Sequence, residues 1–212
     1  MKTERRMIQM PVAKIEVRKD DDGKQTIKGY AAVFYDGSEG TEYKLWRGMK
    51  ERIAPGAFDD VLAADVRALF NHDVNFVLGR TAAGTAKIFV DSRGLGFEIT
   101  PPASRADVIE ALERGDVTGS SFTFSVYGEG GKTSYTEEGE YEIRTIEKVS
   151  ALLDVSPVTF PAYEGTDAYI RSMNITEKQD IEEERKRQRQ PSKQARATAQ
   201  AQDMAIRMAT RK

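Results

Sequence analysis

Short apolar segments alternate with turn residues as far as residue 158, and this alternation most constrains what the chain can fold into. The segments are rich in β-branched and aromatic residues and are bounded by Gly, Pro, Asn or Asp, a pattern typical of strands. The predicted strands are residues 12–17, 26–34, 43–46, 66–70, 86–90, 95–100, 117–126 and 141–158. Many strands with few helices between them predict an α+β domain with a closed or nearly closed antiparallel β-barrel core and a few short helices around it.

Two short helices are predicted between these strands. Pro55–Gly56 opens the first, which carries three apolar residues on one face. Ser104 caps the second, whose apolar residues recur at helical spacing as far as Arg114. The polar, Gly-rich residues 127–139 are predicted to form a hairpin loop, and residues 161–163 to begin a last short helix or loop.

The composition changes near residue 172. Residues 180–189 are almost entirely charged, and residues 190–202 are rich in Ala and Gln without an apolar stripe. Such a sequence cannot bury enough apolar surface to offset the entropy lost on ordering, although its residues favour helix intrinsically. We therefore predict a folded domain over residues 1–171 and a charged tail over residues 172–212, disordered or transiently helical, that serves as a linker or docking segment.

The residue counts exclude several classes of site. The chain has no cysteine, which excludes disulfides, thiolate zinc sites and cysteine nucleophiles, and one histidine, which excludes a histidine-rich metal centre. No cofactor is expected. Residues 1–171 carry a net charge of −6 and the tail +4. An acidic body argues against a nucleic-acid-binding domain, and no apolar run could span a membrane, so we expect a soluble, cytoplasmic protein.

The only histidine, His72, lies in the string Leu-Phe-Asn-His-Asp, directly after a predicted strand. Imidazole is the one side chain that ordinarily titrates near neutrality, so His72 is the obvious candidate for a general base. The alternative is a structural histidine held by hydrogen bonds.

A serine, Ser121, lies in the strand-like string Thr-Gly-Ser-Ser-Phe-Thr-Phe. A strand fixes the backbone around a hydroxyl, which suits a nucleophile that must face a base in one rotamer. The alternative is a strand whose polar face carries Ser121, Thr123 and Ser125 while its phenylalanines pack inward. The Gly-x-Ser-x-Gly elbow of lipases is absent.

An acidic residue, Asp154, interrupts an apolar run that extends from Val149 to Val155. A buried carboxylate is costly without a donor, and an imidazole N–H is a suitable one. Glu147 is a competing carboxylate, although its charged neighbours favour a solvated position.

Several strings of the chain resemble, in the same order, those of the prohead proteases of tailed bacteriophages. The resemblance extends over about residues 28–171 and rests on Pro55-Gly56-Ala57-Phe58, Leu69 to Asp73, Val77 to Arg80, the helix 104–114, the block 115–124 and the stretch 154–163. That family is similar in fold to the herpesvirus assemblins, which are serine peptidases on a β-barrel surrounded by helices.

The resemblance implies that Ser121 is the nucleophile, His72 the general base and Asp154 the third member of the triad. Ser120 is a second hydroxyl at the position where relatives often have Met, and strand alternation allows only one of the two to meet His72. Herpesvirus enzymes use a second histidine as the third member, which this chain lacks. The turn 161–163 is a candidate source of oxyanion donors.

The resemblance further implies a role in capsid maturation. Such a protease is enclosed in the assembling prohead in the host cytoplasm, cleaves the scaffold or the N-terminal arm of the major capsid protein, and cuts itself. These two proteins would be its partners, and homo-oligomer formation is left open. The alternative is a catalytically inert capsid-assembly or scaffold protein that retains the barrel.

Overall fold

The computed structural model describes residues 1–9, 12–160 and 175–189, and strands dominate this part of the chain. The prediction of a β-rich α+β protein is confirmed. The strands are β1 Glu4–Gln9, β2 Glu16–Lys19, β3 Gln25–Val33, β4 Tyr43–Trp46, β5 Met49–Ile53, β6 Arg67–Phe70, β7 Asp73–Arg80, β8 Ala86–Val90, β9 Gly94–Ile99, β10 Gly119–Ser125, β11 Lys132–Glu138, β12 Tyr141–Lys148 and β13 Ala151–Val158. The helices are α1 Ala106–Arg114 and α2 Ile175–Arg189.

The described strands form three open sheets and are not closed into a barrel. The sheet orders are β1-β10-β13-β6-β7, β11-β12-β5-β4 and β2-β3-β9-β8. The expectation of a closed antiparallel barrel is therefore wrong, because each sheet ends on edge strands. Two pairs, β12 with β5 and β13 with β6, are also parallel. The likeness to assemblins stays a prediction.

Aromatic side chains hold the inner face of strand β10. Phe122 and Phe124 stack with ring centroids 4.8 Å apart, and Phe58 meets Phe122 edge-on at 5.7 Å. All three rings are fully buried. Because successive residues of a strand point to opposite faces, this packing turns Ser121 and Thr123 to the other face.

A network of four buried charges links strands of two sheets. Glu4 and Arg6 lie on β1 in the five-stranded sheet, and Glu51 and Arg144 lie on β5 and β12 in a four-stranded one. Arg144 donates to Glu4 at 2.6 and 2.8 Å and to Glu51 at 2.5 Å, and Arg6 also bonds both carboxylates. No member is more than 1 % exposed. We call this set the four-charge network.

Both predicted helices differ from the expectation. The segment after Pro55 forms a turn with Gly56 at φ +83° and a three-residue 3-10 helix, Asp59–Val61, in place of an α-helix. Helix α1 begins at Ala106, behind another 3-10 turn, so Ser104 does not cap it. Its end at Gly115, in the left-handed region, agrees with the prediction.

The last predicted strand and loop are also corrected. Residues 141–158 form two strands, β12 and β13, rather than one. The predicted loop 127–139 contains strand β11, which pairs with β12. Residues 161–163 lie outside the described residues.

Part of the predicted charged tail is helical. Helix α2 belongs to a unit that begins at Ile175 and is separate from the unit that ends at Asn174. Residues 190–212 lie outside the described residues, and the boundary at residue 171 stays a prediction.

Candidate active site

The β6–β7 hairpin carries His72 at its tip. Phe70 pairs with Asp73, which leaves Asn71 and His72 as the two turn residues, with φ angles of 54° and 58°. Two-residue hairpin turns favour this left-handed region because it matches the twist of the flanking strands. Asn tolerates the region well, and His is also enriched there. The tip therefore presents the imidazole from a fixed backbone.

Hydrogen bonds fasten the hairpin tip to the end of strand β13. The Asn71 N–H donates to the Pro157 carbonyl at 3.1 Å, and the Thr159 N–H donates to Asn71 Oδ1 at 3.0 Å. Strand β6 also pairs in parallel with β13 through Val155 and Ala68. The histidine is thereby held beside β13.

The register of β10 against β13 brings the other two predicted residues to one face. Ser121 pairs with Ser156, and Thr123 pairs with Asp154. Directly paired residues in an antiparallel sheet point to the same side. Ser121 and Asp154 therefore share the face that the imidazole covers.

The three side chains predicted from the sequence form a continuous hydrogen-bonded path. His72 Nε2 lies 2.6 Å from Ser121 Oγ, and His72 Nδ1 lies 2.6 Å from Asp154 Oδ1. The His72 and Asp154 side chains are 9 % and 10 % exposed, and Ser121 is fully buried. Residues distant in the sequence meet at one point.

Two further hydroxyls surround the Asp154 carboxylate. Ser156 Oγ donates to Asp154 Oδ1 at 2.9 Å, and the Thr123 hydroxyl is a second partner of the carboxylate. Each hydroxyl oxygen also lies 3.3 Å from His72 Nδ1. The sequence analysis assigned neither residue a role at the site, although each lies two positions from a triad candidate and so on the same strand face.

These contacts keep the carboxylate ionised. Burial is the largest influence and raises the pKa of Asp154, but the hydrogen bond and charge of His72 and the two hydroxyls together outweigh it. The net pKa is below the ordinary 3.8. An ionised carboxylate only accepts, so His72 Nδ1 is the donor in their hydrogen bond. In the neutral imidazole, Nε2 is then the acceptor that faces the Ser121 hydroxyl.

The competing residues lie elsewhere. Ser120 is on the opposite face of β10, where its hydroxyl donates to the Tyr30 carbonyl. Glu147 forms an ion pair with Lys132 across the β11–β12 pair. The structure brings Ser121 and Asp154, not these two, to the imidazole.

The described residues contain no group of three or more His, Cys, Asp or Glu side chains that could hold a metal ion. None of the described helices is long and apolar enough to cross a membrane.

A hydroxyl, an imidazole and a carboxylate bonded in this order are the groups that serine peptidases use. The family model for the caudovirus prohead serine proteases matches residues 13–180, well over half of the chain. The chain therefore belongs to the caudovirus prohead serine protease family, which implies a serine peptidase, and the predicted resemblance is confirmed. No curated protein and no solved structure matches it. Strand β1 lies ahead of the matched residues.

Proposed function

We propose that the protein is a serine endopeptidase in which Ser121, His72 and Asp154 are the catalytic triad. Its substrates would be the scaffold or the N-terminal arm of the major capsid protein, inside the assembling prohead in the host cell, and it would also cut itself. The supporting observation is the unbroken hydrogen-bonded path from Ser121 Oγ to Asp154 Oδ1 in a chain of this family.

Each member of the triad has a defined task in this mechanism. His72 Nε2 takes the proton of the Ser121 hydroxyl as its oxygen attacks the peptide carbonyl, and later gives the proton to the leaving amine. Asp154 accepts the Nδ1–H, which holds the tautomer and stabilises the imidazolium. Water then cleaves the acyl-enzyme with His72 again as the base. Backbone N–H groups must stabilise the oxyanion.

The site is closed in this structure, because Ser121 has no exposed surface. A peptide carbonyl has to come within about 3 Å of the hydroxyl to react. Cleavage therefore requires a rearrangement that exposes Ser121. We expect a serine-directed fluorophosphonate probe to label the free protein weakly and the protein in proheads strongly.

The other candidate function is an inert assembly protein that retains the fold. The described geometry favours the enzyme, because a buried carboxylate, an imidazole and a hydroxyl in this order are costly to bury and serve no packing need. Such a protein would also have no requirement for Nε2 to face a hydroxyl at 2.6 Å.

Co-expression with the major capsid protein of the same phage tests the proposal. Mass spectrometry of the termini compares the intact chain with Ser121→Ala and with Ser120→Ala, a matched control on the opposite face of the same strand. We expect Ser121→Ala to abolish cleavage, since loss of a triad serine lowers kcat by about 10⁶-fold. Ser120→Ala should cleave normally.

The same samples test self-cleavage, because the Ser121→Ala chain should keep its full mass while the intact chain is trimmed. Capsid-protein termini that are still processed in the Ser121→Ala sample, as they are with the intact chain, would refute the triad. Absence of processing by the intact chain in proheads would favour the inert protein.

A further inference from the structure

The N-terminal strand β1 lies directly beside the strand that carries the nucleophile. It pairs antiparallel with β10, and Met7 is opposite Ser121 while Arg5 is opposite Thr123. Paired residues share a face, so Arg5 and Met7 lie on the side of the sheet that carries the triad. The other face of β1 carries Glu4 and Arg6 of the four-charge network. That network anchors the strand.

A hydrogen bond connects Arg5 to the surroundings of the triad. Arg5 Nε donates to Thr123 Oγ1 at 3.2 Å. Thr123 is 5 % exposed, whereas Arg5 is exposed to solvent. The guanidinium therefore reaches from the surface to a nearly buried hydroxyl next to Asp154.

The direction of each bond follows from the chemistry of the groups. A guanidinium only donates, so the Thr123 oxygen accepts from Arg5 and its own hydrogen must point elsewhere. His72 Nδ1 already donates to Asp154, so it offers no lone pair to that hydrogen. Asp154 is the acceptor that the geometry offers, because it is paired directly with Thr123 across β10 and β13 and so shares its face. A hydrogen bond from the Thr123 hydroxyl is also among the influences that lower the pKa of Asp154. The path thus runs from Arg5 through Thr123 to Asp154.

We propose that Arg5 is a positioning residue of the active site. It orients the Thr123 hydroxyl towards Asp154, so that strand β1 helps to hold the triad in position. The inference rests on the proposed function. Arg5 touches no reacting atom, so its effect is on the orientation of the carboxylate and, through it, of the imidazole.

Two readouts separate positioning from general stabilisation of the fold. One is kcat and KM on a peptide that spans the cleavage site mapped in proheads. The other is the proton NMR resonance of the His72 Nδ1–H, which is unambiguous because the chain has one histidine. The second readout needs no catalysis and reports the His72–Asp154 bond even if the protein is not a peptidase.

The variants are Arg5→Met, Arg5→Lys, Thr123→Val and the double variant Arg5→Met/Thr123→Val. Arg18→Met is the control, since Arg18 is an exposed arginine whose partner is Glu16 on the same strand. We expect Arg5→Met to lower kcat about three- to tenfold, the factor that one ordinary hydrogen bond contributes, with KM unchanged. The Nδ1–H resonance should shift or broaden.

The remaining variants test the path itself. Arg5→Lys should restore both readouts, because an ammonium can still donate to Thr123. The double variant should match Thr123→Val, because Arg5 acts only through that hydroxyl. A native kcat and resonance in Arg5→Met would overturn the proposal, and so would single effects that add in the double variant. If Arg5→Met does not fold, the Nδ1–H resonance is compared between Arg5→Lys and Thr123→Val instead. It should be native in Arg5→Lys and shifted or broadened in Thr123→Val.

Discussion

Removing one member of the four-charge network should strongly lower the stability of the fold. Arg144→Met keeps a stem of similar length but removes three charge-assisted bonds, at 2.6 and 2.8 Å to Glu4 and at 2.5 Å to Glu51. Both carboxylates are buried to within 1 %, and Arg6 would be the one arginine of the network left to pair with them. Breaking a buried ion pair on one side costs about 3–5 kcal/mol, because it leaves a buried charge uncompensated. That is a large part of the roughly 5–15 kcal/mol that stabilises a domain.

A charge-balanced variant tests the reason for this cost. Arg144→Met combined with Glu51→Gln removes one positive and one negative charge and leaves Arg6 paired with Glu4. If uncompensated charge is the cause, the double variant should lose less stability than the two single variants together, by about 0.5–3 kcal/mol.

Urea unfolding followed by far-UV circular dichroism measures these differences, in a Ser121→Ala background so that self-cleavage does not interfere. Arg80→Met is the control, because Arg80 bonds Asp65 at 2.9 and 2.6 Å on the surface. Exposed pairs contribute little, so its midpoint should move only slightly. Equal losses in Arg144→Met and Arg80→Met, or additive losses in the double variant, would refute the reasoning.

Two further outcomes are expected. Asn71→Ala removes the acceptor of the Thr159 N–H and places alanine at φ 54°. It should therefore cost about 1–2 kcal/mol in urea unfolding and lower kcat. Asn71→Gly should lose less stability, because glycine relieves the backbone strain at this φ. Acid should also destabilise the fold: burial raises the pKa of Glu4, but the Arg144 and Arg6 charges outweigh it and hold the pKa at about 2 against 4.5. The resulting stability, about 3 kcal/mol, is present above pH 4.5 and is lost as the pH falls towards 2, and a flat urea midpoint over that range would contradict it.

Strands with polar or mixed sequences were the ones that local patterns did not predict. Strands β1 and β5 carry charged residues at inward positions, and sequence reasoning assigns such residues to solvent. Here Glu4, Arg6 and Glu51 satisfy one another, a compensation between distant strands that no local pattern reveals. Strand β11 is polar because it lies at a sheet edge, and its composition resembles a loop.

The candidate site was more predictable than the sheets around it. A single histidine, a serine on a strand and an acid in an apolar run are local signals that left structural alternatives open. The resemblance to the prohead proteases singled out the three residues, and the structure brings their side chains together. Alternation along β10 allowed only one of Ser120 and Ser121 to meet the imidazole, and the family resemblance selected Ser121. The structure places the two hydroxyls on opposite faces. Thr123 and Ser156 each lie two positions from a site residue, so alternation places them on the same strand face. Only the register of β10 against β13 shows that the two hydroxyls lie beside the Asp154 carboxylate.

The parallel pairing of β6 with β13 brings His72 to the other two residues of the site. Antiparallel pairing of β10 with β13 places Ser121 and Asp154 on one face, but their strands supply no histidine. Because β6 runs parallel to β13, its C-terminal end, where the hairpin turns, lies beside the C-terminal half of β13. The Asn71 bonds to Pro157 and Thr159 then lock the turn there. The position of His72 therefore depends on one parallel pair and one turn residue, and Asn71→Ala tests this most directly.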